Sequence, residues 1–385
     1  MRRRSFIGGV VGVGAGIGLG AAGGSAAAAG PDEGEPPGTV APKPAGPARD
    51  WQAVPAPDGT PAAQLIGVAA AGADLAWAVG EEGRNGSTRG VPLGLVWDGG
   101  SWNRVDLGHL PFAGGFLHSV AVTSAGVAYA VGTSGGDRLL RWDGTTWQEI
   151  DFPGRGQTST RLTGIAADST GGIWLSGRGS DGSVLLYGDG SGNQSGWRWI
   201  PAPPSTVSLS ESGVRVGPGG NVWVFAAEYV GRWDGVQWTE LPAPGGIRAS
   251  INDLLAVTDQ DIWLVGHAYG VGGPPGKPPG VTLMHGDGTS WQYVTAPFSP
   301  GMLTAITADD QGGPDRIAGW DFWDQTRAHY LRRDGTAWVS ERGPLSSTPV
   351  LTSSLVRVPG TADGYWAVGT TSSYPYPPAQ IRIER

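Results

Sequence analysis

Trp320-Asp321-Phe322-Trp323-Asp324-Gln325-Thr326-Arg327 puts three aromatic rings, two carboxylates, an amide and a guanidinium within eight residues. Such a set suits a carbohydrate, because an indole covers the apolar face of a sugar ring while charged and amide groups take its hydroxyls. The same set suits a protein interface, where Trp, Tyr and Arg are the usual anchors. Two further segments carry similar chemistry: His267-Ala268-Tyr269, leading into a Gly/Pro-rich excursion through Pro279, and Tyr374-Pro375-Tyr376. The candidate ligand-binding residues are therefore Trp320, Asp321, Phe322, Trp323, Asp324, Arg327, His267, Tyr269, Tyr374 and Tyr376. A structural alternative has Trp320 and Phe322 packing inward, replacing a Trp missing from their repeat.

Catalytic motifs are scarce. The five histidines, His109, His118, His267, His285 and His329, have no helical metal-ligand spacing. His109 and His118 are close enough in sequence to meet, and Asp309-Asp310-Gln311-Gly312-Gly313-Pro314-Asp315 offers carboxylates to calcium, yet it falls where other repeats have a simple turn. There is no nucleophile elbow, P-loop or dinucleotide fingerprint, so no cofactor is expected and no residue is assigned a catalytic role. A lyase or glycan hydrolase assembled from several loops around a central pocket remains the alternative function.

The elements that must position these loops form a repeat. Its signature is Leu139-Leu140-Arg141-Trp142-Asp143-Gly144-Thr145-Thr146-Trp147, read as two strands joined by a two-residue Asp-Gly turn. Counterparts lie at Leu95 to Trp102, Leu185 to Trp199, Gly231 to Trp238, Leu283 to Trp291 and Tyr330 to Trp338. Each hairpin follows a short apolar strand such as Leu65-Ile66-Gly67-Val68 and a Trp-led strand such as Trp77-Ala78-Val79-Gly80. Seven units of roughly 40 to 52 residues result, a spacing typical of propeller blades. The last lacks its outer strand, and Trp51-Gln52-Ala53-Val54 is an orphan outer strand. The sequence thus predicts an all-β, seven-bladed β-propeller over residues 50–385, its last blade closed by the N-terminal strand. Two sandwich domains would leave the matching orphan ends unexplained.

The 18 Trp argue against disorder despite 68 Gly and 31 Pro, and the lack of Cys excludes disulfides and thiolate chemistry. A formal charge of −8 makes nucleic acid an improbable partner on electrostatic grounds. Residues 1–30, with Arg2-Arg3-Arg4-Ser5-Phe6-Ile7 before a Gly/Ala/Val stretch and an Ala-rich end, read as a leader, and the paired arginines resemble a twin-arginine export signal. Residues 31–49 read as a Pro/Gly-rich linker, and no later segment has the apolar length to span a membrane.

The repeats Leu-x-x-Val, Trp-Ala-Val-Gly and Trp-Asp-Gly-x-x-Trp resemble those of a group of secreted actinobacterial propellers, with kelch-like and lectin-like propellers more distantly similar. That resemblance implies a secreted recognition module, binding a glycan or a secreted or cell-surface protein, as in lectin-like subunits of secreted toxin complexes. The sialidase Asp-box is similar only in part: it has one more residue between Asp and the aromatic, and a preceding Ser absent here.

Overall fold

The computed structural model describes residues 49–385 except 125, 192–193, 205–211, 228, 243–248, 270–277 and 372–378. The leader, most of the linker, Tyr374 and Tyr376 lie outside the described residues. Six antiparallel four-stranded sheets and one three-stranded sheet follow one another along the chain. They form blade 1 (Gln64 to Arg104), blade 2 (Phe116 to Glu149), blade 3 (Arg161 to Ile200), blade 4 (Gly213 to Glu240), blade 5 (Ala249 to Tyr293), blade 6 (Gly301 to Arg342) and blade 7 (Val350 to Glu384). The orphan strand completes blade 7: Gln52 exchanges backbone hydrogen bonds of 3.0 and 2.9 Å with Arg385, and the Val54 amide donates to the Ile383 carbonyl at 2.9 Å. The ring is a closed seven-bladed propeller, as the sequence predicts.

Indoles fill the seams between blades. Trp366 of blade 7 lies 4.8 Å from Trp97 of blade 1, Trp77 of blade 1 lies 6.1 Å from Trp142 of blade 2, and Trp263 of blade 5 lies 5.7 Å from Trp338 of blade 6. These tilted and edge-on contacts stabilise each seam beyond the burial of apolar area alone.

The Asp-Gly turn differs from the expected two-residue form. Trp142 pairs with Trp147 and Trp97 with Trp102, so four residues lie between the paired positions. Only Gly144 and Gly99 of these turns have positive φ, at 108° and 93°. Asp143 instead uses one carboxylate oxygen, Oδ1, to accept the amides of Thr145 and Thr146 at 2.8 and 2.9 Å. Asp287 repeats the pattern with Thr289 and Ser290 at 2.8 and 2.7 Å. The Asp is thus a turn former, and hydrogen bonds to its charged form hold both carboxyls below the usual carboxylate range. Because the folded-state pKa is depressed, the associated stability is complete above about pH 4 and is lost as pH falls below it. Asp143→Asn keeps an acceptor but cannot titrate, so the drop in urea midpoint between pH 7 and pH 3 should be smaller in this variant than in the wild type.

A second regularity sets the centre of the ring. In six inner strands the ladder slips by one residue, leaving Ile66, His118, Thr163, Asn252, Thr304 and Ser353 as bulges. Opposite each bulge is the Gly that ends the second-strand motif: Gly80, Gly132, Gly177, Gly266, Gly319 or Gly369. A Cβ on any of these would stand under 3.0 Å from an inner-strand carbonyl oxygen. Blade 4 has Phe225 at this position, paired with Gly213, and its inner strand runs without a bulge. Several bulged side chains tie one inner strand to the next. Thr163 Oγ1 donates to the Ser212 carbonyl at 2.7 Å, Asn252 Nδ2 to the Leu303 carbonyl at 2.6 Å, and the His118 ring to the Leu162 carbonyl.

Candidate functional site

One face of the ring carries the turns between first and second and between third and fourth strands. The opposite, upper face carries the second-to-third-strand loops and the crossings between blades. The Asp-Gly turns lie on the former, where a Cβ on Gly288 would meet the Asp259 carbonyl at 2.6 Å. The aromatic segments lie on the upper face, on adjacent blades 5 and 6.

Strand structure reaches further into these segments than the sequence suggests. The second strand of blade 6 runs Pro314–Asp321 and that of blade 5 runs Asp261–Ala268, so Trp320, Asp321 and His267 are strand residues. Beyond Asp321 the chain is braced on several sides. The Phe322 amide donates to the Pro300 carbonyl at 3.2 Å, and Gln325 and Thr326 offer their carbonyls to Val350 and Ser346 at 2.7 and 2.9 Å. Asp321 is buried, accepting from the Trp323 amide at 2.9 Å and from Arg342 Nη2 at 2.8 Å. Asp324 takes a second contact from Arg342 at 3.7 Å, and Arg327 is half-buried at the end of the loop.

His329 sits beneath, buried and stacked on Phe298 with centroids 3.8 Å apart. Its Nδ1 accepts from Arg342 at 2.9 Å, so Nε2 carries the proton and donates to Ser340 at 3.0 Å. Burial, reinforced by the Arg342 charge and opposed by Asp321, lowers its pKa to about 3. His329 is a neutral prop.

The outcome is an aromatic platform on a braced backbone. Trp320, half-buried, meets Phe322 edge-on at 6.0 Å, and Phe322 meets Trp323 edge-on at 5.0 Å. Trp323 is 76% exposed although both its backbone and its neighbouring ring are fixed. On blade 5, Tyr269 is 50% exposed and stands at 90° to the His267 ring, 5.1 Å away. His267 is buried and bonded to Asn252 at 3.2 Å, and burial lowers its pKa. The Gly301 amide donates to the Pro279 carbonyl at 2.8 Å, which joins the blade 5 loop to blade 6. Asp321, Asp324 and His267 hold the platform, while Trp323 and Tyr269 present rings to solvent. The inward-packing alternative holds in part, since Trp320 and Phe322 are both half-buried, but neither replaces the sixth unit's missing Trp: that place is taken by Arg316, buried among Asp315, Glu341 and Asp363.

The sequence reading anticipates a central pocket but assigns no residue to it; the structure supplies the lining of this axial channel. Its cavity of about 420 Å³ is walled by the seven inner strands and includes His118, Arg215, Asn252 and Asp253. Asp253 accepts the amides of Leu254 and Ile306 at 2.8 and 3.0 Å and pairs with Arg215 at 2.7 Å, bracing blades 4, 5 and 6. A wider groove of about 730 Å³ opens on the turn face between blades 4 and 5. Next to the groove's lining residue Asp287, Gly286 stands where blade 2 has Trp142, and the Trp291 ring lies over it in the space a Cβ would take. Arg232, Asn221 and Asp259 are joined across this groove by contacts of 2.6 and 2.8 Å.

The remaining histidines are structural: His109 meets the Trp147 carbonyl at 2.8 Å and His285 meets Asp261 at 2.9 Å. Asp309 accepts the amides of Gln311 and Gly313, both at 2.9 Å, as a turn former. Among the described residues no three His, Asp or Glu are placed to hold a metal ion, and no helix is long and apolar enough to cross a membrane.

No family model and no curated protein matches the chain. Solved structures do. A structure described as YCF48 bound to D1 peptide superposes with a TM-score of 0.59 at 14% identity, covering 88% of this chain and 98% of the other. RRP9 WD40 repeats give 0.56 at 11% identity, with 89% and 98% covered. A GH74 xyloglucanase from Xanthomonas campestris gives 0.53 at 17% identity, with 87% of this chain and 55% of the enzyme covered. At these identities the likeness establishes the propeller fold, which in these neighbours serves peptide binding in one case and belongs to a glycosidase in another.

Proposed function

We propose that the protein is an exported binding module whose upper face recognises a carbohydrate through Trp323 and Tyr269. The observation that carries this reading is the platform itself, a mostly exposed indole held by Asp321 below its amide and by the edge of Phe322. A backbone already held in place loses little freedom on binding, which favours stacking of its ring on a flat ligand. Export rests on the leader at residues 1–30. A secreted or cell-surface protein is the second reading, supported by the peptide on the YCF48 neighbour.

A glycan array and cell-wall preparations, probed with the chain lacking its leader, separate the two. Trp323→Ala should weaken glycan binding at least tenfold, as expected for loss of one stacking ring worth on the order of 1.4 kcal/mol. Its urea midpoint should stay unchanged because the indole is mostly exposed. Binding unaffected by both Trp323→Ala and Tyr269→Ala removes the platform from the site. Retention of a protein partner with no glycan signal favours the second reading.

A further inference from the structure

The half of the upper face opposite the aromatic platform carries a different chemistry. Arg89, in the second-to-third-strand loop of blade 1, lies with its guanidinium 4.0 Å from the centroid of the Phe116 ring. Phe116 begins the inner strand of blade 2, and its ring is 5.5 Å from that of His118, which lines the axial channel. Arg161 begins the next inner strand, that of blade 3, beside the Leu162 carbonyl that His118 bonds. Both arginines are about half exposed, 46% for Arg89 and 53% for Arg161.

Their charges are weakly satisfied. Glu81 Oε1 is shared by Gln64 at 2.8 Å, Arg84 at 3.5 Å and Arg89 at 3.3 Å. Arg161 has only a loose contact of 3.8 Å with Asp137. Among the described residues, then, four guanidiniums, counting Arg178 paired with Arg161 in the ladder, face the carboxylates of Glu81 and Asp137, so positive charge is in excess here. We propose that Arg89 and Arg161 form a subsite at the mouth of the axial channel for the carboxylate of an acidic sugar. A local surplus of positive charge attracts a carboxylate, and the planar guanidinium is suited to bind it in bidentate fashion. The subsite deepens the carbohydrate reading above and rests on it for the sugar, not for the carboxylate. Arg178, exposed at the end of the second strand of blade 3, extends the same arc, its Nε donating to the Ser159 carbonyl at 3.3 Å.

His118 supplies a reporter. Loss of hydration, then the charges of Arg161 and Arg89, lower its pKa to about 4. An anion held between the arginines raises that pKa, by about one unit or more for a charge within contact distance. The experiment follows the His118 ring by NMR in the chain lacking its leader, titrated with free glucuronate and, separately, with glucose. The subsite predicts that glucuronate raises the His118 pKa while glucose does not. It further predicts that Arg89→Gln and Arg161→Gln each weaken glucuronate binding at least tenfold with circular dichroism unchanged. No shift with glucuronate, or equal binding by both variants and the wild type, overturns the subsite. The two proposals fail separately. Neutral glycan binding lost in Trp323→Ala without any glucuronate effect leaves the platform and removes the subsite, whereas a glucuronate effect with Trp323→Ala silent on every glycan does the reverse.

Discussion

Replacing Trp51 by Ala is expected to lower the unfolding free energy by about 3–5 kcal/mol, the usual cost of deleting a buried indole. Trp51 is 1% exposed and is the first residue of the strand that closes the ring. Its ring stacks on Tyr330 of blade 6 at 3.7 Å with 11° between planes, and meets Tyr365 of blade 7 at 6.1 Å. It therefore acts on two blades and on the closure between them. Its Nε1 also donates to Glu341 at 3.2 Å. That carboxylate is buried and further held by the Arg49 amide and Arg332 Nε, both at 3.1 Å, with Arg316 at 3.5 Å. Losing the indole opens a cavity and removes one donor from an already desolvated acid, so the two costs have the same sign. Trp51→Phe keeps the stack and loses the hydrogen bond, a net change of about 1 kcal/mol. Urea unfolding of the wild type and both variants checks the order. A Trp51→Ala midpoint equal to the wild type would mean that closure contributes nothing at this seam.

The same seam shows why the sequence reveals the architecture more readily than the details. Trp51-Gln52-Ala53-Val54 is recognisable as an outer strand because it copies Trp147-Gln148-Glu149-Ile150, and the missing strand of blade 7 tells where it belongs. Nothing in that copy reveals that Arg316 fills the place of a Trp, because its partners Glu341 and Asp363 come from distant positions with no shared spacing. The turn aspartates were legible as turn formers, yet their mechanism, one carboxylate oxygen capping two amides, needs only negative φ at Asp and so evades a rule based on positive φ. At the candidate site the aromatic loops stand out by composition. Which member faces solvent does not, since Asp321 and Trp323 differ in exposure because of Arg342, twenty-one residues away in sequence from Asp321. Arg89 and Arg161 lie in different blades, and only the packing of consecutive blades 1, 2 and 3 brings them both to His118.

Gly80→Ala and Gly266→Ala are expected to cost more than the usual price of adding a methyl group to a strand. Each glycine lies within a second strand, at the end of its Trp-led motif, and faces the bulge of the adjacent inner strand, with the Gln64 or Ser250 carbonyl where a Cβ would go. The obstacle is backbone, so no rotamer change relieves it. To admit the methyl group the inner strand must lose its bulge or move into the axial channel. Overpacking in a filled core costs about 1–3 kcal/mol, and these sites should fall at or above the top of that range. Blade 4 is the internal control. There Phe225 stands in place of the glycine, Gly213 faces it, and the ladder is regular. In that blade the phenyl ring fills the space that a Cβ on Gly213 would enter. Phe225→Ala should accordingly cost about 3–5 kcal/mol by leaving a cavity, with the opposite sign of volume change. For Gly266→Ala a second effect follows, because the bulged residue opposite is Asn252, whose Nδ2 bonds the Leu303 carbonyl at 2.6 Å and meets His267 at 3.2 Å. Straightening that strand breaks both contacts, so hydrogen exchange should rise in the inner strands of blades 5 and 6 before it rises in blade 2. Uniform exchange in the variant, or a loss of stability below 0.5 kcal/mol, on the order of an ordinary surface substitution, would show that the bulge is not what requires glycine.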